Sequence, residues 1–186
     1  FHRSIGGYHG AKLKRYQELI ENCISKNNMS VLDMLNTKYF IVSGQDKQPQ
    51  AQINPGAMGA AWFVDTVKMV PNADAEIAAL ESFNPRNIAF VDERFENTLQ
   101  SFKPQQDSTA TVKLISIVCN DLVYETQTAL PQFCVFSEIY YDKGWNVYVD
   151  GQKADYVRAN YVLRAMVVPA GKHKIEFKFE PQVYIT

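Results

Sequence analysis

Residues 172–180 alternate without a break. Lys172, Lys174, Glu176, Lys178 and Glu180 take one side, and His173, Ile175, Phe177 and Phe179 take the other. A period of two is the signature of a strand with one wet face and one buried face. Such a strand cannot bury its apolar side alone. It needs hydrogen-bonded neighbours and a second layer to pack against. This one segment therefore predicts a β-rich, layered fold for the chain around it.

The sequence upstream supplies the neighbours. Residues 109–119, 122–129, 132–141, 145–149 and 159–168 read as further strands, separated by short turns. In 109–119 the apolar set changes phase between Leu114 and Ile115, as a β-bulge would require. Asp150-Gly151 between two β-type segments is the signature of a tight primed hairpin. The expectation is an antiparallel β-sandwich, jelly-roll-like, over 108–186.

The first half differs. Leu13, Tyr16, Ile20, Cys23 and Ile24 recur at helical spacing. Ser30 with Asp33 has the form of a capping box opening a second short helix. Residues 39–42 and 88–91 are short strands, 43–52 a polar loop, and Asn54-Pro55-Gly56 a turn. Residues 61–69 read as one strand, and 74–83 as a helix with Ile77 and Leu80 inward. A polar stretch, 93–107, connects the halves. The predicted class is α+β: a small mixed α/β region over 1–107, then the sandwich module over 108–186.

Composition limits the function. A chain with 46% hydrophobic and 21% charged residues folds rather than remaining disordered. A net charge of -1 with no basic run argues against nucleic acid as a partner. No apolar run approaches the length of a membrane span, and the first residue is Phe1. The expectation is a soluble piece of a longer protein. Cys23, Cys119 and Cys134 lack metal-site or redox spacing and read as small buried apolar residues, although a bridge between Cys119 and Cys134 is open to neighbouring strands.

Catalytic signatures are absent: there is no phosphate-binding glycine loop, zinc-protease helix or nucleophile elbow. His2, His9 and His173 are not spaced as metal ligands, and His173 falls on an apolar strand face as a core histidine would. No metal or cofactor is expected. Asp92, Glu93 and Glu96 follow a strand, where acid–base pairs can stand, but such a run also suits a solvated loop. A more suggestive group gathers around Gly144 and the Asp150-Gly151 turn. Tyr140, Tyr141 and Trp145 offer flat apolar faces, and Arg158, Asn160 and Arg164 offer planar donors. Together they suit a sugar ring with apolar faces and a belt of hydroxyls. The same residues equally suit a core and its rim.

Several blocks resemble a known family. Tyr8-His9-Gly10-Ala11-Lys12-Leu13, Leu35-Asn36-Thr37-Lys38-Tyr39 and Ala61-Trp62-Phe63-Val64 come first. Ser137-Glu138-Ile139-Tyr140-Tyr141, Gly144-Trp145, Asp150-Gly151, Arg158-Ala159-Asn160-Tyr161 and Pro169-Ala170-Gly171-Lys172-His173 follow. In this order they resemble the C-terminal region of the bacterial YfhO family of multi-pass membrane proteins, in the form found in Bacteroidetes-type bacteria. The resemblance implies a periplasm-facing accessory domain of a parent similar to glycosyltransferases that use lipid-linked sugars on envelope glycans. Flanking helices outside this chain would join it to the membrane. The family's catalytic acids lie in a region this chain does not contain, so none can be carried over. Two roles remain for the domain: contact with an envelope glycan, or a purely structural or protein-interacting part. A third, a hydrolase using Asp92, Glu93 or Glu96, comes from the residues alone.

Overall fold

The structure, a computed structural model, describes residues 4–6, 12–44, 47–100 and 102–181. It opens with helix α1, Lys14–Asn22, one 3-10 turn, Ile24–Lys26, and α2, Met29–Met34. Leu19 and Cys23 bury fully, with Tyr16, Ile20 and Ile24 half-buried beside them. Leu13, expected inward, is exposed because it occupies the extended N-cap position and leaves the helical face. Asn28, not Ser30, caps α2: its side chain accepts from the Val31 amide at 3.2 Å. Ser30 instead donates to the Phe83 carbonyl at 2.8 Å, fastening α2 to the chain after the third helix.

Strands β1, Tyr39–Ser43, and β2, Pro49–Ile53, form a two-stranded sheet of their own, so part of the expected 43–52 loop is a strand. The single strand expected over 61–69 is two. β3, Ala61–Val64, and β4, Thr66–Val70, are divided at Asp65. They go to opposite edges of a six-stranded sheet. Helix α3, Ala73–Ala79, is capped by the Asn72 side chain and carries the chain from β4 to the parallel strand β5, Ile88–Asp92. A 3-10 turn, Glu93–Phe95, and α4, Glu96–Leu99, follow.

The rest is antiparallel. In chain order come β6, Thr111–Val118, β7, Asp121–Thr128, β8, Gln132–Ile139, β9, Trp145–Val149, β10, Gln152–Ala154, β11, Val157–Ala159, β12, Leu163–Val168, and β13, Gly171–Phe179. The predicted bulge is there, as a register shift between Leu114 and Ser116. Asp150 and Gly151 take φ of 50° and 81°, the left-handed pair a primed hairpin needs. The segment expected as one strand over 159–168 is broken by Asn160 and Tyr161, with φ of 47° and 73°.

The sheets run β10-β9-β13-β7-β6 and β3-β8-β12-β11-β5-β4. Their facing sides enclose one core, in which Tyr124 of β7 and Phe177 of β13 meet Phe136 of β8. The rings lie 4.8 to 6.2 Å apart and edge-on. The far side of the six-stranded sheet holds a second core. There Phe133, Val135, Leu163 and Ala165 pack with Leu19, Val31, Met34 and Leu80 from the helical region. The class is α+β with a β-sandwich-like C-terminal part. β8 and β12 are covered on both faces, so both lack polar alternation. The six-stranded sheet draws three strands from before residue 107 and three from after it.

All three cysteines are free. Cys23 and Cys134 are buried, and burial pushes the Cys134 thiol well up. Cys119, expected inside, is exposed, because it lies in the turn that ends the largely exposed strand β6.

Candidate functional site

Four of the six residues singled out as a sugar-binding surface fall into two clusters. In the first, the Arg158 guanidinium lies 5.9 Å from the Tyr140 ring centroid and 5.5 Å from that of Phe95. In the second, Arg164 stacks 4.0 Å over Trp145 and 5.2 Å over Phe177, and its Nε donates to the Ile139 carbonyl at 3.1 Å. Tyr156 stands between, 5.3 Å from Tyr140 and 5.6 Å from Phe177. Its hydroxyl donates toward the Tyr141 and Trp145 carbonyls, at 3.1 and 3.3 Å, and burial pushes its pKa up to about 12.

Exposure divides the six sharply. Arg158, Asn160 and Arg164 are 6%, 0% and 3% exposed, Tyr140 and Trp145 are half-buried, and Tyr141 is at 37%. Asn160 is bound into the sheet: its side-chain oxygen accepts from the Phe90 amide at 2.9 Å and its backbone N–H donates to the Phe90 carbonyl at 2.8 Å. Its left-handed backbone is a conformation asparagine tolerates better than most residues. Arg158 and Arg164 are register partners across the β11–β12 hairpin. Like charges placed opposite each other repel. Each is held by its own acceptors, which draw the two guanidiniums into separate clusters.

The Arg158 acceptors come from the first half of the chain. Glu76 of α3 is fully buried, its Oε2 3.3 Å from Arg158 Nη2 and 3.1 Å from Arg15 Nη1. Its Oε1 accepts from the Tyr161 amide at 2.9 Å. Asp92 Oδ2 sits 3.4 Å from the same Arg158 nitrogen and 2.9 Å from Arg94 Nη2. Arg15 also covers the Tyr161 ring at 4.5 Å, and the Tyr161 hydroxyl donates to Glu18. Burial pushes the Glu76 carboxyl up, against the pull of Arg158, the Tyr161 amide and Arg15. Burial would also raise Asp92, but hydrogen bonds from Arg94 and the charges of Arg94 and Arg158 hold it below the usual value. Burial lowers Arg158, opposed mainly by Glu76.

This network does not resemble an acid–base pair. Asp92 is locked in ion pairs and caps the turn that follows it, while Glu93 and Glu96 are exposed. A general acid needs a raised, accessible carboxyl. Among the described residues no group of three or more His, Cys, Asp or Glu is placed to hold a metal ion. His2 and His9 lie outside the described residues. His173, expected in the core, sits at the rim with 20% of its side chain exposed. Its Nδ1 is 2.6 Å from Asp150 Oδ2 and its Nε2 3.0 Å from the Ala170 carbonyl.

Glu76 is the residue the sequence pattern passed over. A signal was present: Glu76 and Leu80 are four apart and share a helical face, so an inward Leu80 implies an inward Glu76. Near this network, Tyr16, Tyr140, Arg158 and Tyr161 line a cavity of about 190 Å³. A second, of about 280 Å³, lies between Leu99, Lys153, Tyr156 and Met166. Both fall below the ~300 Å³ at which small-molecule sites usually begin.

Fold and site together define a β-sandwich-like domain braced by buried charge, without a spanning helix among its described residues. Residues 81–186, more than half of the chain, match the family model described as Bacterial membrane protein YfhO, and the chain belongs to that family. The blocks from Ser137 to His173 lie inside the match, and those before residue 81 lie outside it. No curated protein and no solved structure matches the chain.

Proposed function

We propose that this chain is the periplasm-facing accessory domain of a YfhO-family membrane protein whose membrane-embedded part transfers sugars from lipid-linked donors to envelope glycans. In this reading the domain takes no part in the chemistry and serves as a structural or protein-interacting element. One observation carries it. The planar groups best suited to sugar hydroxyls, Arg158, Asn160 and Arg164, are all buried: Arg158 pairs with Glu76, Arg164 donates to the Ile139 carbonyl, and the Asn160 side-chain oxygen accepts from the Phe90 amide. A surface that captures a glycan would present such groups to solvent.

A second reading keeps glycan contact at the edge of the same region. Tyr140 and Arg158 line the 190 Å³ cavity, and Tyr141, the next residue in the chain, is exposed. That space suits one sugar ring at most.

Calorimetric titration with envelope glycan fragments separates the two. The structural reading expects no saturable heat, and unchanged sugar transfer by a full-length parent carrying Tyr140→Ala and Tyr141→Ala. Saturable binding that disappears in Tyr140→Ala supports the second reading instead. A full-length parent that transfers no sugar from any lipid-linked donor removes the glycosyltransferase setting from both.

A further inference from the structure

Among the described residues, the β1–β2 hairpin pairs with no other strand. Its register sets Tyr39 opposite Ile53 and Ile41 opposite Ala51 on one face. Tyr39, Ile41 and Ile53 are 59%, 73% and 69% exposed, and Ala51 is exposed between them. Neither strand carries a charged residue; the nearest basic ones are Lys38, just before β1, and Lys47, two residues before β2. A two-stranded hairpin is marginal in water without a layer against it. Uncharged strands with free edges and one exposed apolar face are the feature natural sheets ordinarily protect. This face is built to be covered.

We propose that the covering layer is a lipid bilayer, and that the hairpin lays its Tyr39–Ile41–Ala51–Ile53 face into the membrane interface beside the parent's spanning part. The chain belongs to a family of bacterial membrane proteins, so a bilayer is a surface its parent meets. A second copy of the chain is a poor occupant. A hairpin with five residues per strand falls well short of the roughly 20–30 residues a side of a stable protein interface. A bilayer asks for less, because a tether to the membrane raises the local concentration and a few apolar side chains then suffice. Tyrosine suits this depth, with its ring among the acyl chains and its hydroxyl among the headgroups.

The chain, held by a C-terminal hexahistidine tag on vesicles of phosphatidylethanolamine, phosphatidylglycerol, nickel-chelating lipid and brominated phosphatidylcholine, gives the test. Ile41→Trp replaces one exposed apolar residue by another and leaves both cores intact. Its emission is expected to shift to the blue and lose intensity on anchoring. The same probe at Ile115→Trp, 54% exposed on β6, is expected to do neither. Adding Tyr39→Ser and Ile53→Asp to Ile41→Trp should abolish the response. An unshifted Ile41→Trp overturns the proposal. So does an equal response at position 115, which would mean indiscriminate adsorption. A blue shift that appears with protein concentration in the absence of vesicles overturns it in favour of a second copy.

Discussion

Arg158 Nη2 lies 3.3 Å from Glu76 Oε2, and this buried pair joins β11 to α3 across 82 residues of sequence. Removing one member leaves a buried charge short of a partner, an effect of about 3–5 kcal/mol when nothing else compensates. Arg15 remains 3.1 Å from Glu76, so Arg158→Met is expected at the lower end, about 3 kcal/mol. Glu76→Leu combined with Arg158→Met should recover much of that loss, since an apolar pair leaves no stranded charge. Urea unfolding of the two single variants and the double variant checks this. Simple additivity would mean the two groups are not coupled.

Arg164 and Tyr141 should part company. Arg164→Ala removes a desolvated stack on Trp145 and Phe177 and orphans the Ile139 carbonyl, for a loss of about 2–3 kcal/mol. Tyr141→Ala changes an exposed side chain and should stay within about 0.5 kcal/mol. Thermal unfolding ranks them. Equal losses would contradict the division of the six residues into buried and exposed sets.

Gly144 has φ +110°, and a Cβ there would stand 2.8 Å from Phe179 Cε2 and 3.0 Å from Pro181 Cβ. Gly144→Ala combines backbone strain with a clash and should lose about 2 kcal/mol or more. Gly151, at φ +81° with open space around it, isolates the backbone part, and Gly151→Ala should lose about 1 kcal/mol. The reverse order in chemical denaturation would show that Phe179 yields easily.

The His173–Asp150 pair predicts a pH window. The Asp150 hydrogen bond, helped by the Ala170 carbonyl, raises His173 above its ordinary 6.5. The folded state therefore binds the imidazole proton more tightly. That contribution is complete below 6.5 and is lost as pH rises through the folded value. The Lys174 amide and His173 lower Asp150 below its ordinary 3.8, so its contribution is present above 3.8 and is lost as pH falls through the folded value. The pair supports the fold most between the two ordinary values. In a proton NMR titration, Asp150→Asn should bring His173 back toward 6.5; an unmoved titration would remove Asp150 as the cause.

Much of the second half was legible in local sequence. The bulge at Leu114, the Asp150-Gly151 hairpin and the 172–180 alternation are each set within a few residues, by pleat and turn geometry. The site was legible in part. Tyr140, Trp145, Arg158 and Arg164 were singled out together in the sequence, but neither their division between two clusters nor the burial of the two arginines could be read there. The group looked like a surface because long polar side chains ordinarily stay wet. Nothing near Arg158 in sequence reveals an acceptor on a helix 82 residues earlier. Similarly, 61–69 has continuous β propensity, and only the assembled sheet sends β3 and β4 to opposite edges.

The sequence by itself determined the α+β class, the alternating faces of β13 and the resemblance to a membrane-protein family. These rest on periodicity, turn chemistry and residue identity, which act over a handful of positions. Tertiary structure alone decided that the six-stranded sheet unites the two halves, that three planar donors are sealed inside, and that the apolar face of the β1–β2 hairpin is left open. Burial and charge pairing depend on which distant surfaces meet, and no window of neighbouring residues contains that information.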